Sequence, residues 1–271
     1  MTIDNNDLAR VSQYVAALAG EGPLEEELRE VFDTDCPPTY LHRFLARLAR
    51  RVREAKEARD CMLIVTTNYD DSLERAFADE DEPYEVVTYI ARGKDRGLFR
   101  HITTEGQVTV IRKPNEYHLP LDQRTVIVKV HGSVDRIHGD SFVITEDHYI
   151  EYIARSDIAH LFPVTLAAKL MTSHFLFMGY SLRDWNFRVM LHRLREEQEG
   201  KEFDSWAIQK DPDSIDLKSW VKRGVEILPV SVETFVAAVE RRLLTQYSEK
   251  LVPTQRLPTE SVELLFPRDT G

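Results

Sequence analysis

Over residues 8–52 the apolar positions recur every three to four residues. Residues 8–18 and the acidic stretch 24–31 each carry them at helical spacing, with Gly20-Glu-Gly-Pro23 between them as a stop. Pro37 and Pro38 then introduce an Arg-rich segment in which Leu41, Phe44, Leu45, Leu48 and Val52 fall on one helix face. Beyond it the period changes. Residues 62–65 form a short apolar run, 71–77 predict a helix, and 86–90 are β-rich, an alternation that predicts an α/β fold.

Residues 92–124 interrupt that rhythm. Segments 99–104 and 107–112 flank Glu105-Gly106 like the arms of a β-hairpin, and Pro114 and Pro120 bound a loop, so an insertion on the sheet's rim is expected. A strand over 125–130 ends at His131-Gly132. A short strand follows at 142–144, and Thr145 is placed to N-cap a helix running to residue 154. A helix over 159–171 leads into a buried-type strand at 175–178. A helix over 185–198, a strand over 205–208 and a last helix over 232–247 complete the order. The prediction is a Rossmann-like, mostly parallel sheet with helices on both faces and a small β-hairpin insertion, spanning residues 1–250, with a flexible tail over 251–271.

Composition narrows the function classes. A net charge of −11 argues against broad nucleic-acid binding, which requires surplus Lys and Arg at the phosphates. The arginines between Arg43 and Arg59 read as the solvated face of their helix. No stretch reaches the roughly 18 consecutive apolar residues of a membrane span, and MTIDNNDLAR is acidic where a secretory signal is basic, so a cytoplasmic place is expected. Cys36 and Cys61 are the only cysteines; they can build neither a disulfide framework nor a four-cysteine zinc site. The histidines show no HExxH-like spacing, and no metal is expected.

In open parallel sheets, ligands bind outside the carboxyl ends of the strands. Four predicted strands end in polar residues there: Thr66-Thr67-Asn68-Tyr69-Asp70, Lys129-Val130-His131-Gly132, Gly179-Tyr180-Ser181 and Ile208-Gln209. Each end also has a plainer reading. Asn68 and Asp70 could cap the helix that follows, His131 could be a structural histidine bonded to a carbonyl, Asp184 could be an N-cap and Gln209 a polar strand end. A serine-hydrolase elbow at Ser181 is disfavoured, because Gly179-Tyr-Ser-Leu-Arg lacks the second glycine of G-x-S-x-G.

Taken in order, TTNYD, KVHG and GYSLRD resemble the sirtuin-like domains of bacterial NAD-consuming proteins, many of them in anti-phage defence; the resemblance covers roughly residues 8–244. It implies NAD as substrate and hydrolysis of the nicotinamide–ribose bond. By position, Asn68 would orient the attacking water or the ribose, Asp70 would meet the carboxamide, His131 would be the base and Ser181 would contact the adenosine ribose. Gly179 would admit close backbone approach, Gly132 would remove bulk at the entrance, and Thr67 and Gln209 complete the binding set. The chemistry suits these residue types. Nicotinamide leaves as a neutral ring, so the barrier is an oxocarbenium-like sugar met by an activated oxygen. A near-neutral histidine can take that proton, and an asparagine can both donate to and accept from a positioned water.

The chain departs from the family pattern in one respect. No glycine- and serine-rich strand-turn-helix precedes TTNYD, and Gly20 and Gly22 follow a helix, so the phosphates would fall to side chains such as Arg92, Lys94 and Arg183. A sheet short of that central strand would expose edges, which favours association with itself or with partner domains. The deacylase branch is disfavoured because its four-cysteine zinc module has no counterpart here. The expectation is an NAD glycohydrolase giving nicotinamide and ADP-ribose. The alternatives are a catalytically silent NAD or ADP-ribose sensor or scaffold and a purely structural partner in an assembly.

Overall fold

A computed structural model describes residues 7–32, 36–55, 61–135, 139, 141–155, 162–179, 189, 192 and 204–251. Asp7 starts α1 (Leu8–Ala19), its side chain accepting from the Arg10 amide at 3.1 Å, and Gly20 ends it at φ 91°. Helix α2 (Glu21–Phe32) follows at once and packs against α1. Helix α3 (Tyr40–Glu54) buries Phe44, Ala46 and Ala49.

The main sheet holds β1 (Leu63–Thr66), β2 (Tyr84–Tyr89), β3 (Phe99–Ile102), β4 (Val108–Ile111) and β5 (Thr125–Lys129). Its order is β1-β5-β2-β3-β4, with β1, β5 and β2 mutually parallel and β3 and β4 antiparallel. The hairpin expected on the rim therefore extends the sheet as its antiparallel edge. Strand β5 is its centre, and all five of its residues are buried. Strand alternation sends Val126 and Val128 to one face, where they meet Phe162, Leu166 and Leu170, and Ile127 to the other, against Ala49, Leu73 and Phe77. Helices α5 (Glu146–Arg155) and α6 (Val164–Met171) cover the first face; α3 and α4 (Ser72–Asp79) cover the second. Thr145 caps α5 as expected, its hydroxyl taking the His148 amide at 3.2 Å.

A second, fully parallel sheet has the order β10-β9-β8, from β8 (Phe175–Met178), β9 (Ser205–Ile208) and β10 (Val225–Leu228). Between β9 and β10 lies α7 (Ser214–Val221), whose Trp220 packs on Ala207, Val225 and Ile227. The sequence pattern missed both α7 and β10. Each is short, and only the burial of Trp220 makes them one unit. Two further strands, β6 (Gly132–Ser133) and β7 (Ser141–Phe142), pair antiparallel. The last helix, α8 (Val232–Leu251), ends later than expected; of the helix predicted over 185–198 only residues 189 and 192 are described, both helical, and the tail over 252–271 lies outside the described residues.

Among the described residues neither the outer side of β1 nor that of β8 pairs with a strand. Both strands are correspondingly open: Val65 is 37% exposed and Leu176 45%. Yet Leu63 of β1 and Phe175 of β8 pack on the same core cluster, so the two bare edges belong to one body of side chains. No helix among the described residues is long and apolar enough to cross a membrane.

The arginine face of α3 is open to solvent at Arg43, Arg51 and Arg53, and it is also ion-paired within the fold. Arg53 grips Glu82 with two bonds of 2.9 and 2.8 Å, and Arg50 stands 3.7 Å from the same carboxylate, whose side chain is fully buried. Arg47 bridges Glu80 at 3.3 Å and Glu240 of α8 at 2.6 Å. Helix α3 lies over the acidic turn after α4, and helical spacing alone could not reveal that neighbour.

Candidate functional site

Strand register brings the first two motifs together. Thr66 pairs with Lys129 across the parallel β1–β5 ladder, so Asn68 and His131 each follow two residues beyond the same rung. The loops they sit on are joined at several points. The Val130 amide donates to the Thr66 carbonyl at 3.1 Å, the Val134 amide to the Tyr69 carbonyl at 2.9 Å, and the Tyr69 hydroxyl to the Val143 carbonyl at 2.7 Å.

Within the first loop the three candidates differ. The Asn68 amide donates to Thr66 Oγ1 at 3.1 Å while its side chain is exposed, with no hydrogen bond among the described residues. Thr67 beside it is half-buried. Asp70 does the local work that the plainer reading assigned to both residues: its carboxylate accepts from the Ser72 amide at 2.9 Å at the start of α4. Burial alone would raise the Asp70 carboxyl. Hydrogen bonds from Ser72, with Lys129 and His42 nearby, outweigh it and hold the group below its ordinary range.

His131 is 5% exposed and stands between two rings of α5, edge-on to Tyr149 at 5.3 Å and to Tyr152 at 5.6 Å between centroids. Its carbonyl accepts from the Val143 amide at 2.9 Å, which seats the β6–β7 pair on the motif. The structure gives Gly132 a role within the fold. Its φ is +88°, and a Cβ there would lie 2.0 Å from the Ser141 carbonyl oxygen, so the glycine admits the protein's own β7 strand. Ser141 in turn accepts from the Ala91 amide at 2.7 Å and donates to the Tyr89 carbonyl at 3.1 Å, while Ser133 and Thr88 share a 3.1 Å hydroxyl contact. The hairpin after His131 is thus bonded to the end of β2.

The other two motifs meet in the second sheet. Met178 and Ile208 occupy one rung of β8 and β9, so Gly179 and Gln209 emerge side by side at the carboxyl ends. Gly179 has φ +65°, and among the described residues nothing lies within 4 Å of where a Cβ would stand. The Gln209 amide donates to the Leu228 carbonyl at 3.2 Å, and its side-chain Oε1 is buried without a partner among the described residues. Such an oxygen is costly unless something donates to it. Ser181, Arg183 and Asp184 lie outside the described residues. Of the proposed phosphate cations, Arg92 is committed to an ion pair with Glu25, and Lys94 is exposed.

Sequence reasoning overlooked three features around these motifs. Lys129, 1% exposed, sends Nζ to the Asp70 carbonyl at 2.6 Å and to Glu74 Oε1 at 2.7 Å. A lysine between Val128 and Val130 in an otherwise apolar strand is the signal that could have found it. Tyr149 and Tyr152 carried no signal, being ordinary apolar positions of a helix. Away from the motifs, buried His101 bonds Glu85 and the Tyr117 hydroxyl, each at 2.8 Å, a carboxylate pairing that sequence spacing concealed. Among the described residues no group of three or more His, Cys, Asp or Glu side chains is placed to hold a metal ion.

Residues 62–228, the span from β1 to β10 that carries all four motifs, match the SIR2-like domain family. The chain belongs to that family. The chain is 27% identical over 191 residues to an NAD(+) hydrolase ThsA of Enterococcus faecium, covering 70% of this chain and 32% of that protein. It is 28% identical over 192 residues to a namesake from Acinetobacter baumannii (70% and 31%), and 23% identical over 249 residues to defense-associated sirtuin 2 of Bacillus subtilis (90% and 21%). The chain thus spans about a third or less of the length of these relatives.

Proposed function

We propose that this SIR2-like domain is an NAD glycohydrolase of a bacterial defence system, releasing nicotinamide and leaving ADP-ribose. The observation that carries this reading is the shared rung of Thr66 and Lys129, which sets Asn68 and His131 at the carboxyl ends of adjacent parallel strands, where open α/β sheets take ligands. The names of the relatives, NAD(+) hydrolase among them, support it.

In this reading Asn68, exposed at the end of β1, holds the attacking water against the ribose, and His131, at the end of the adjacent strand, accepts its proton. Asp70, kept ionised by its hydrogen bonds from Ser72 and by Lys129, takes a hydrogen bond from the nicotinamide carboxamide. Thr67 and Gly132 line the same end. Gly179, Ser181 and Gln209 receive the adenosine half, with the orphaned Gln209 Oε1 as an acceptor for a ribose hydroxyl. The reaction requires no metal. The domain acts in the cytoplasm, and the bare edges of β1 and β8 support association with itself or with partner domains.

The test is nicotinamide release from NAD by the purified chain beside His131→Ala. Release that depends on His131 is the expected result. A thermal shift with NAD or ADP-ribose and no release would replace the enzyme with a sensor or scaffold, and neither signal would leave only a structural role.

A further inference from the structure

We propose that Lys129 is a positioning residue for the reaction: its buried ammonium sets the loop of Asn68 and Asp70 against the loop of His131. The inference rests on the glycohydrolase reading for its kinetic consequence and on geometry for its structural one.

Lys129 is placed where both loops begin. It is the last residue of β5, two positions before His131, and its backbone pairs with Thr66, two positions before Asn68. From there its side chain turns to the α3–α4 face and donates to the Asp70 carbonyl at 2.6 Å and to Glu74 Oε1 at 2.7 Å. A backbone carbonyl held by a charged donor at that distance is a strong, directional tether. It acts on the turn between Asn68 and Ser72, opposite the Val134–Tyr69 bond that holds the same loop from the His131 side.

A buried lysine is expensive, so the pair asks for an explanation. Charge neutralisation explains Glu74 only in part, because its second oxygen, Oε2, is buried with no partner among the described residues. A pair kept only for stability would satisfy both carboxylate oxygens or give way to apolar residues. What the ammonium adds, and an apolar residue cannot, is the bond to the Asp70 carbonyl. Displacement of a reacting group by about 1 Å costs on the order of 100-fold in rate, so loosening this tether lowers turnover even when the fold survives.

The experiment compares the parent chain, Lys129→Met and the double variant Lys129→Met/Glu74→Leu. The double variant removes the buried charge together with its partner, so it folds even where the single variant does not. In whichever variants fold, amide exchange over residues 67–72 and 131–134 is expected to rise about tenfold or more with the sheet unchanged. In the double variant thermal stability returns, while kcat for NAD stays roughly 10- to 100-fold down with KM changed less than about threefold. Recovery of kcat together with stability would overturn the proposal and make Lys129 a fold-stabilising residue alone, as would unchanged exchange in those loops. If the parent releases no nicotinamide, the glycohydrolase reading fails by itself and the exchange data still decide whether Lys129 holds the loop.

Discussion

The Val134 amide donates to the Tyr69 carbonyl at 2.9 Å, and that bond makes the Asn68 loop and the His131 loop one piece of backbone. The consequences of altering the two residues nevertheless differ, because Asn68 is exposed and His131 is 5% exposed between two tyrosine rings. Asn68→Ala should lower kcat by about 100-fold or more while changing stability by no more than about 0.5 kcal/mol. His131→Ala should abolish turnover and also destabilise the fold, since it empties a packed site between Tyr149 and Tyr152. Nicotinamide release, set beside thermal melts of both variants, checks the pair. An Asn68 variant that melts early with its activity intact would return Asn68 to a capping role.

Gly132 and Gly179 both have positive φ, at +88° and +65°, but among the described residues only the first has backbone where its Cβ would go. Gly179→Ala meets nothing within 4 Å among the described residues, so it should cost only about 1–2 kcal/mol of left-handed strain. Gly132→Ala adds a 2.0 Å approach to the Ser141 carbonyl and must displace β7, so its melting temperature should fall well below that of Gly179→Ala. Equal melting temperatures would mean that the β6–β7 pair yields freely.

Much of this arrangement was legible in the residues. Strands β8 and β9 fall where their apolar runs predicted, and the hairpin insertion follows from Glu105-Gly106 between β-rich arms. What stayed hidden is what depends on neighbours distant in sequence. Helical spacing shows that Arg50 and Arg53 share a face but not that Glu82 lies under it. The motif KVHG presents a glycine without revealing that Ser141, nine residues on, fills the space beside it. Lys129 looked like the polar end of a strand until the Asp70 carbonyl appeared at 2.6 Å from its Nζ.

The arginines of α3 should differ sharply in worth. Glu82 is fully buried and holds Arg50 and Arg53, so Glu82→Ala loses the charged hydrogen bonds while leaving two partly solvated cations, and should cost about 1.5–3 kcal/mol. Arg43 reaches Asp79 only at 3.9 Å, with both side chains largely exposed, and Arg43→Ala should cost under about 1 kcal/mol. Urea denaturation of the two variants measures the contrast. Similar losses would show that the Glu82 site is wetter than its geometry indicates.

Two histidines should make stability depend on pH. Burial holds His148 below its ordinary value, against the opposing pull of Glu21 and with Arg96 and Arg92 adding to the effect. Burial does the same to His42, against Asp70 and Glu74 and with Arg75 beside it. In both, Nδ1 accepts a backbone amide, from Ile144 and Thr39 respectively, as a neutral ring can and a charged ring cannot. The unfolded chain therefore binds these protons more readily than the folded one. Stability should be complete above about pH 6.5 and fall as the pH drops below it toward the folded-state values. Asp70, also depressed, adds its loss only below about pH 4, so the interval between belongs to the histidines. Thermal melts from pH 7.5 to 4.5 should show the decline in the parent and a flatter profile in His42→Gln/His148→Gln. An equally steep decline in that double variant would assign the acid sensitivity to other groups.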